Sequence, residues 1–599
     1  MDLRRLIDIL PYQIENFPRT DSICGKQEDE WKKYSSARIA EIADEFSFGL
    51  LKLDFNPGDK FAIISENRPE WNIVDLGILQ IGGVDVPVYP TMNQEEYAYI
   101  FNDAQVKLVF VSGKEIYEKA SSVLTKANSV KGIYTFDKLP GQKHWTEILT
   151  PGDDSSKERL KLIESKIDPE DTATIIYTSG TTGIPKGVML THRNIISNIL
   201  SLHKIIPIEG QHRLISFLPI SHIFERSAIY FYLSVGGGIY YAQGQDKIVE
   251  NFQEVKPHYF TTVPRLLEKI YERIMEKGRN LTGLKKAIFG WAVNLANHYD
   301  PQGKNNLFYR IRLKIARELV FKKWQAALGG EVKGIISGAA TLQPRLARIF
   351  TGAGITIKEG YGLTETSPVL TCNRFEENNY YLGTVGIPIP GVEIKLDPDN
   401  GEVLAKGDNV FKGYYNNPAW TEEAFDKDGW FHTGDIGVMV VGKYLKITDR
   451  LKEVFKTSGG KFVAPLPIEN KMKESWFIKN IMVVGENRKF TAALIVPDTV
   501  FIFNWMKKKG FENLSVEKML ETQIVKDRVW KDIQKYNKRF SHIEQIKKFE
   551  FSPCDWSTET GELTPTLKLK RKVIIQKYGN LIEKIYKSDL NNVKTSQLS

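Results

Sequence analysis

Thr172-Ala-Thr-Ile-Ile-Tyr-Thr-Ser-Gly-Thr-Thr-Gly-Ile-Pro-Lys-Gly-Val188 is a β-branched apolar run that empties into a loop dense with glycine, hydroxyls and one lysine. The apolar run predicts a buried strand. In the loop, Gly180 and Gly183 let backbone N–H groups converge on an anion, and Thr178, Ser179, Thr181 and Thr182 add hydroxyl donors. Lys186 supplies a point charge for phosphate oxygens. Ordinary glycine-rich hairpin turns rarely carry four hydroxyls and a lysine in nine residues. A Walker-type loop needs Gly-x-x-x-x-Gly-Lys-Ser/Thr, whereas here Pro185 precedes the lysine and Gly187 follows it. The segment therefore predicts a phosphate loop of another kind.

Similar runs recur outward from it: Lys60-Phe-Ala-Ile-Ile-Ser65, Lys107-Leu-Val-Phe-Val-Ser112 and Val332-Lys-Gly-Ile-Ile-Ser337, separated by helix-periodic stretches. That alternation predicts an α/β fold in which helices cover the sheets. Near Gly391 the texture changes. Val392-Glu-Ile-Lys-Leu396, Glu402-Val-Leu-Ala405 and Lys443-Tyr-Leu-Lys-Ile-Thr448 suggest a small antiparallel β unit. Past Asp449, charged helices alternate with the short strands Ile481-Met-Val-Val484 and Thr491-Ala-Ala-Leu-Ile-Val496. The expected organisation is a large domain over 1–449, with the small β unit, and a smaller α+β domain over 450–599. A chain of 599 residues is too long for one hydrophobic core.

Composition narrows the class. Three cysteines (Cys24, Cys372, Cys554) lie far apart, which excludes a disulfide framework and predicts a reducing compartment. Nine scattered histidines form no zinc-type spacing. The net charge of +9 suits polyanionic small molecules or an anionic membrane surface, and equally a solvated lysine-rich exterior; Lys568–Lys572 is locally dense. The uncharged stretch Ser227–Gln245 is interrupted by Gly236-Gly-Gly238 and reads as a buried helix–turn–strand, so no transmembrane helix is expected. Asp8 breaks any signal-peptide core.

Further constellations carry chemistry. In Lys358-Glu-Gly-Tyr-Gly-Leu-Thr-Glu-Thr-Ser367, Tyr361 can stack on a purine and Glu365 can hold a Mg²⁺ that bridges phosphates. Ser337-Gly-Ala-Ala340 ends a strand with small residues, which suits close approach of a ring to Gly338 and Ala339, or a tight strand–helix turn. Asp435 of Trp430-Phe-His-Thr-Gly-Asp435 can accept hydrogen bonds from two sugar hydroxyls, and Arg450 of Thr448-Asp-Arg450 can donate to hydroxyl or phosphate.

Together these segments resemble the signatures of the adenylate-forming superfamily, from the first loop to Lys572. The resemblance implies ATP or AMP binding by Thr178 to Gly183, Lys186, Gly338, Ala339, Glu359, Gly360, Tyr361, Gly362, Thr364, Asp435 and Arg450, with Mg²⁺ on Glu365. It implies a hinge at about 449–454, centred on Lys452, and a coenzyme A path lined by Gly459 and Gly460 of Thr457-Ser-Gly-Gly-Lys461. Leu563-Thr-Pro-Thr-Leu-Lys-Leu-Lys-Arg571 resembles the segment with the adenylation lysine; alignment points to Lys568, and the choice among the lysines of 568–572 stays open.

Leu218-Pro-Ile-Ser-His-Ile-Phe-Glu-Arg226, Thr262-Val-Pro-Arg265, the long segment from Phe289 to Leu328 and the Thr-Pro-Thr form of the lysine motif are similar to the long-chain acyl-CoA synthetases. That branch implies a long-chain fatty acid–CoA ligase in which His222 positions the carboxylate, with catalysis by Lys568, Lys186, His222 and Glu365. ATP, Mg²⁺ and coenzyme A would serve, with no nucleic acid partner. A carrier-protein ligase and a ligase for medium-chain or aromatic acids are the alternatives. The expected setting is cytoplasmic, with room for a peripheral contact at the inner membrane face and for a homodimer. Chain-length preference and the lining of an acyl tunnel are not legible, because an apolar lining looks like core.

Overall fold

The computed structural model describes residues 3–179, 185–244, 246–376, 379–511, 514–564 and 568–595. Two compact units emerge: one of residues 1–395, 404–433 and 439–446, the other of 396–403, 434–438 and 447–599. The fold is α/β, as the alternating pattern predicts.

Among the described residues, the first unit contains two large sheets. One runs in the order Gly413–Tyr414, Pro185–Thr191, Thr172–Ser179, Val84–Pro87, Lys60–Ile64, Val106–Val111, Gly132–Thr135. Its last five strands are parallel, while the Pro185–Thr191 strand turns back antiparallel on Thr172–Ser179. The second sheet has nine strands, parallel at its centre and antiparallel at both edges; Tyr259–Thr262, Gly334–Ser337 and Ile357–Gly362 lie side by side in it.

Parallel strands need helical crossovers, and helices on both faces bury both sides of each strand. Hence Phe61, Ala62, Ile63 and Ile64 are all inaccessible to solvent. The crossover helix Pro69–Gln80 is buried around its whole circumference. At Gly77 an added Cβ would lie 2.7 Å from the Phe46 ring and 3.0 Å from the Ala43 carbonyl oxygen, both on the helix Ser36–Lys52, so the two helices approach closely only because that residue is glycine.

A charged cluster sits inside this unit. Arg226 reaches Asp75 at 2.5 Å, Asp85 at 2.9 Å and the Thr174 hydroxyl at 2.7 Å, and all three charged side chains are fully buried. Tyr230 donates its hydroxyl to Asp75 as well. Arg226 and Tyr230 belong to the helix Ile223–Ser234, and Thr174 to the strand that feeds the phosphate loop. The network therefore fixes that helix against that strand. Within the uncharged stretch Ser227–Gln245, residues 227–241 form the end of this buried helix, a turn and the strand Gly238–Tyr241. No helix among the described residues is long and apolar enough to cross a membrane.

A four-stranded sheet runs in the order Val392–Leu396, Glu402–Gly407, Phe431–Val440, Tyr444–Arg450. The second unit is built on a three-stranded sheet, Ile478–Val484, Ala492–Pro497, Phe549–Phe551. Alternation sorts its two faces. Ile481, Val483, Ala493 and Ile495 face a core shared with the helices Pro465–Met472, Thr499–Lys507 and Gln523–Asn537. Met482, Val484, Leu494 and Val496 face Ile574, Tyr578 and Ile582 of the kinked C-terminal helix Arg571–Thr595.

Candidate active site

The phosphate loop closes a hairpin. Thr178 pairs with Lys186 and Ser179 with Pro185 on antiparallel strands. Gly180, Thr181, Thr182 and Gly183, which sequence assigns to phosphate, lie outside the described residues. On the returning strand, the Lys186 ammonium stands 4.4 Å from the Trp420 ring centre and 4.7 Å from that of Tyr414. Tyr414 arrives by strand addition, pairing with Val188 while the Tyr415 N–H donates to the Gly187 carbonyl at 2.7 Å, and Trp420 stands on the helix Pro418–Ala424 that follows. Cation–π attraction of this kind holds an ammonium in place without neutralising it.

Tyr414 also donates its hydroxyl to Glu365 Oε1 at 3.0 Å, while the Phe411 N–H donates to the Glu365 carbonyl at 2.8 Å. Burial and the Glu365 charge both hold the phenol above its ordinary range, so it remains a donor. The structure thus brings Lys186 and Glu365, far apart in sequence, to one ring. Sequence reading missed Tyr414 and Trp420; their only local signal is an aromatic-rich turn after Gly413.

The second motif leaves the strand Ile357–Gly362 and turns into Val369–Cys372. An added Cβ on Gly362 would lie 1.7 Å from the Pro368 carbonyl oxygen, so only glycine fits the turn. Thr364 is buried beside it. Glu359 is buried too, and burial pushes its carboxyl up to about 8. A carboxyl kept neutral is a hydrogen-bond donor and a poor cation ligand.

An apolar cavity, open at its mouth, lies against this motif. Gly360, Tyr361 and Gly362 line one side, and Gly338 and Ala339 another. Ala339 has φ +65°, a left-handed conformation at the strand end where sequence expects a tight turn. Its apolar walls come from Phe224, Ala228 and Phe231 of the buried helix and from Leu202, Ile206 and Ile208.

His222 also lines the cavity, as the N-cap of that helix. Its Nδ1 accepts the Phe224 N–H at 3.1 Å, which puts the proton of the neutral ring on Nε2. Cys372, another lining residue, has its thiol pushed up to about 12 by burial and is no nucleophile. Thr261 lines the wall and donates to buried Glu225, whose carboxyl burial raises to about 7.

In the smaller unit, Arg450 Nε meets Asp435 Oδ1 at 3.0 Å; Asp435 is buried and Arg450 half-exposed. The Gly434 N–H donates to Glu402 Oε1 at 2.8 Å and the Leu451 N–H to the Gly434 carbonyl at 2.8 Å, which fixes the part of the strand Phe431–Val440 that carries Asp435. Asp449 accepts from the Arg450 and Leu466 N–H groups at 2.7 and 3.1 Å, and burial raises it to about 6.

Lys452, Gly459–Gly460 and Lys568 occupy three separate turns. Lys452 is exposed in a turn closed by Val454 N–H donating to the Arg450 carbonyl at 3.1 Å. Gly460 has φ +75° in a turn closed between Thr457 and Lys461 at 2.9 Å. Lys568 is exposed at the end of a hairpin in which the Thr564 N–H donates to its carbonyl at 2.8 Å. Arg571 differs from its basic neighbours: it is held in the unit by Glu453 at 3.0 Å and Glu469 at 2.7 Å.

Chemically, the larger unit offers a fixed ammonium, an oriented carboxylate and an apolar cavity with a histidine at its wall. Among the described residues, no group of three or more His, Cys, Asp or Glu could hold a metal ion.

Residues 10–415 match the model of the AMP-binding enzymes, and 452–590 that of the AMP-binding enzyme C-terminal domain. Long-chain-fatty-acid–CoA ligase FadD15 of Mycobacterium tuberculosis is 34% identical over 93% of both chains. Human long-chain-fatty-acid–CoA ligase 1 is 34% identical over 95% of this chain and 84% of its own. Among solved structures, the adenylation domain of a carboxylate reductase from Mycobacterium chelonae superposes with a TM-score of 0.75 at 21% identity, covering 97% of this chain and 91% of that one. ATP-bound MatB from Rhodopseudomonas palustris gives 0.71 at 22%, covering 96% and 99%. Both are large-plus-small-domain folds like this chain.

Proposed function

The chain belongs to the AMP-binding enzymes, among the long-chain-fatty-acid–CoA ligases, and from that premise we propose that it activates a long-chain fatty acid with ATP and transfers the acyl group to coenzyme A. The carboxylate oxygen attacks the α-phosphorus and displaces pyrophosphate, giving acyl-AMP. The coenzyme A thiol then attacks the acyl carbon, loses its proton and releases AMP. No protein nucleophile is needed, because AMP is itself a good leaving group; the residues position and stabilise charge.

The observation that carries this reading is the apolar cavity whose wall holds both His222 and the Gly360–Gly362 motif. An acyl chain suits such walls, and Nε2–H of His222 suits its carboxylate. Lys186 then serves the phosphates, Glu365 the magnesium ion, Asp435 and Arg450 the ribose, and Lys568 the α-phosphate during adenylation. The hard carboxylate oxygen of Glu365 would suit Mg²⁺, which when bound would neutralise phosphate charge. In this reading the small domain turns about Lys452 after adenylation, removing Lys568 and admitting Gly459 and Gly460 to the thiol path. The acid partitions into bilayers, so the enzyme meets a membrane as a peripheral protein.

The test is AMP release with ATP, Mg²⁺ and coenzyme A across acids from acetate to oleate. Strictly coenzyme A-dependent turnover favouring acids of about a dozen carbons or more is expected for a cavity that binds by apolar burial. A maximum on short or aromatic acids would overturn the substrate, and pyrophosphate exchange without coenzyme A-dependent turnover would point to a carrier-protein acceptor.

A further inference from the structure

The net charge of the chain is concentrated in one place. Residues 277–323 hold eleven Lys and Arg against two Asp and Glu, an excess of nine that equals the +9 of all 599 residues. This segment contains the helices Gly283–Asn297 and Leu307–Ala316, the second continuing through a π-helical turn, Arg317–Phe321.

The second helix has two apolar faces. Leu313, Ala316 and Val320 are buried against its own unit. Leu307 (73% exposed), Phe308 (68%), Ile311 (52%), Ile315 (48%) and Leu319 (55%) are not. At roughly 100° per residue the five fall within an arc of about 120°, turned away from the buried face. Arg312 borders the arc on one side, Lys314 and Arg310 on the other. Leu284, 76% exposed, and the exposed Lys285 and Lys286 stand on the neighbouring helix. Scattered exposed leucines need no explanation, but a contiguous apolar stripe rimmed by cations does.

We propose that the outer face of Leu307–Leu319, with Leu284, is a docking surface for an anionic lipid bilayer: the apolar side chains enter the interface and the flanking cations meet the headgroups. Charge decides the occupant. A second copy placed on this face by a two-fold axis would bring the same cations against each other, whereas anionic headgroups complement them. The inference is independent of the proposed reaction, since partition into vesicles is read without ATP, acid or coenzyme A.

The experiment is flotation of the full chain with phosphatidylcholine vesicles, pure or one-third phosphatidylglycerol. Binding to the anionic vesicles that weakens with salt is expected. The triple substitution Leu307→Ser, Phe308→Ser, Ile311→Ser lowers the partition coefficient at least about ten-fold on both vesicle types. The set Lys285→Gln, Arg310→Gln, Lys314→Gln lowers it about ten-fold on the anionic vesicles alone. Leu319→Ser, a single exposed change, gives a smaller loss and guards against a folding defect in the triple variant. No binding by the parent, equal binding to both vesicle types, or undiminished binding by Leu319→Ser and the triple variant overturns the proposal. A parent dimer that the triple variant splits, with vesicle binding unchanged, would assign the face to a second copy instead.

Discussion

Tyr414 donates its phenolic hydrogen to Glu365 at 3.0 Å and at the same time offers its ring to the Lys186 ammonium at 4.7 Å. One side chain thus orients the carboxylate and the cation that the proposed reaction assigns to the metal ion and the phosphates. Tyr414→Phe keeps the ring and loses the hydroxyl. Pyrophosphate exchange is expected to slow by roughly ten- to a hundred-fold, the worth of one hydrogen bond to a charged group, with a higher Mg²⁺ requirement. Tyr414→Leu, which also removes the ring, should be slower still. Equal rates for both variants would remove the ring from the account.

Lys568→Ala is expected to reduce acyl-AMP formation by at least about a hundred-fold while leaving thioester formation from supplied acyl-AMP nearly intact, because in the proposed reaction the ammonium acts only on the developing phosphorane charge. Lys452→Pro should do the reverse by fixing φ at the proposed hinge. Single-turnover measurement of each half-reaction separates them. Loss of both half-reactions in Lys568→Ala would refute its role.

The Arg226 cluster predicts stability. Arg226→Met leaves Asp75 and Asp85 buried without their cation, at a cost of roughly 3–5 kcal/mol. Denaturant unfolding of the parent and the variant measures it. A loss under about 1 kcal/mol would mean that the carboxyl groups are satisfied by other means.

Glu359 predicts a pH dependence. Its folded carboxyl sits at about 8, against about 4.3 in an unfolded chain. The folded state holds its proton where the unfolded state has lost it, so stability falls as pH rises from about 4.3 to about 8 and then levels off. The slope has an upper limit of about 1.4 kcal/mol per pH unit. Glu359→Gln should flatten the curve across that window relative to the parent. Parallel curves from pH 5 to 9 would show that Glu359 does not titrate there.

Asp435→Ala should weaken ATP binding by roughly ten-fold or more, since the buried carboxylate is proposed to accept from the ribose. Direct titration with ATP reads this, and an unchanged affinity would remove Asp435 from the nucleotide.

The α/β class was legible in the chain itself because it depends on neighbours a few residues away: β-branched runs make strands, and helix-periodic stretches cover them. The same local reading singled out Glu365, Asp435 and Arg450 as candidates. Asp435 and Arg450 meet as a pair because two adjacent strands carry them. Other features exist only through long-range packing. Lys568 and Arg571 look alike in sequence, yet Arg571 is drawn inward by Glu453 and Glu469, about a hundred residues away, while Lys568 stays exposed. Tyr414 joins Lys186 only because a two-residue strand adds to the edge of the sheet. Phe231 and Leu319 make the same point: both are apolar helix residues, one lining the cavity and one facing outward. Hydrophobicity tells a residue to leave water; only the tertiary packing decides whether there is anything to leave it for.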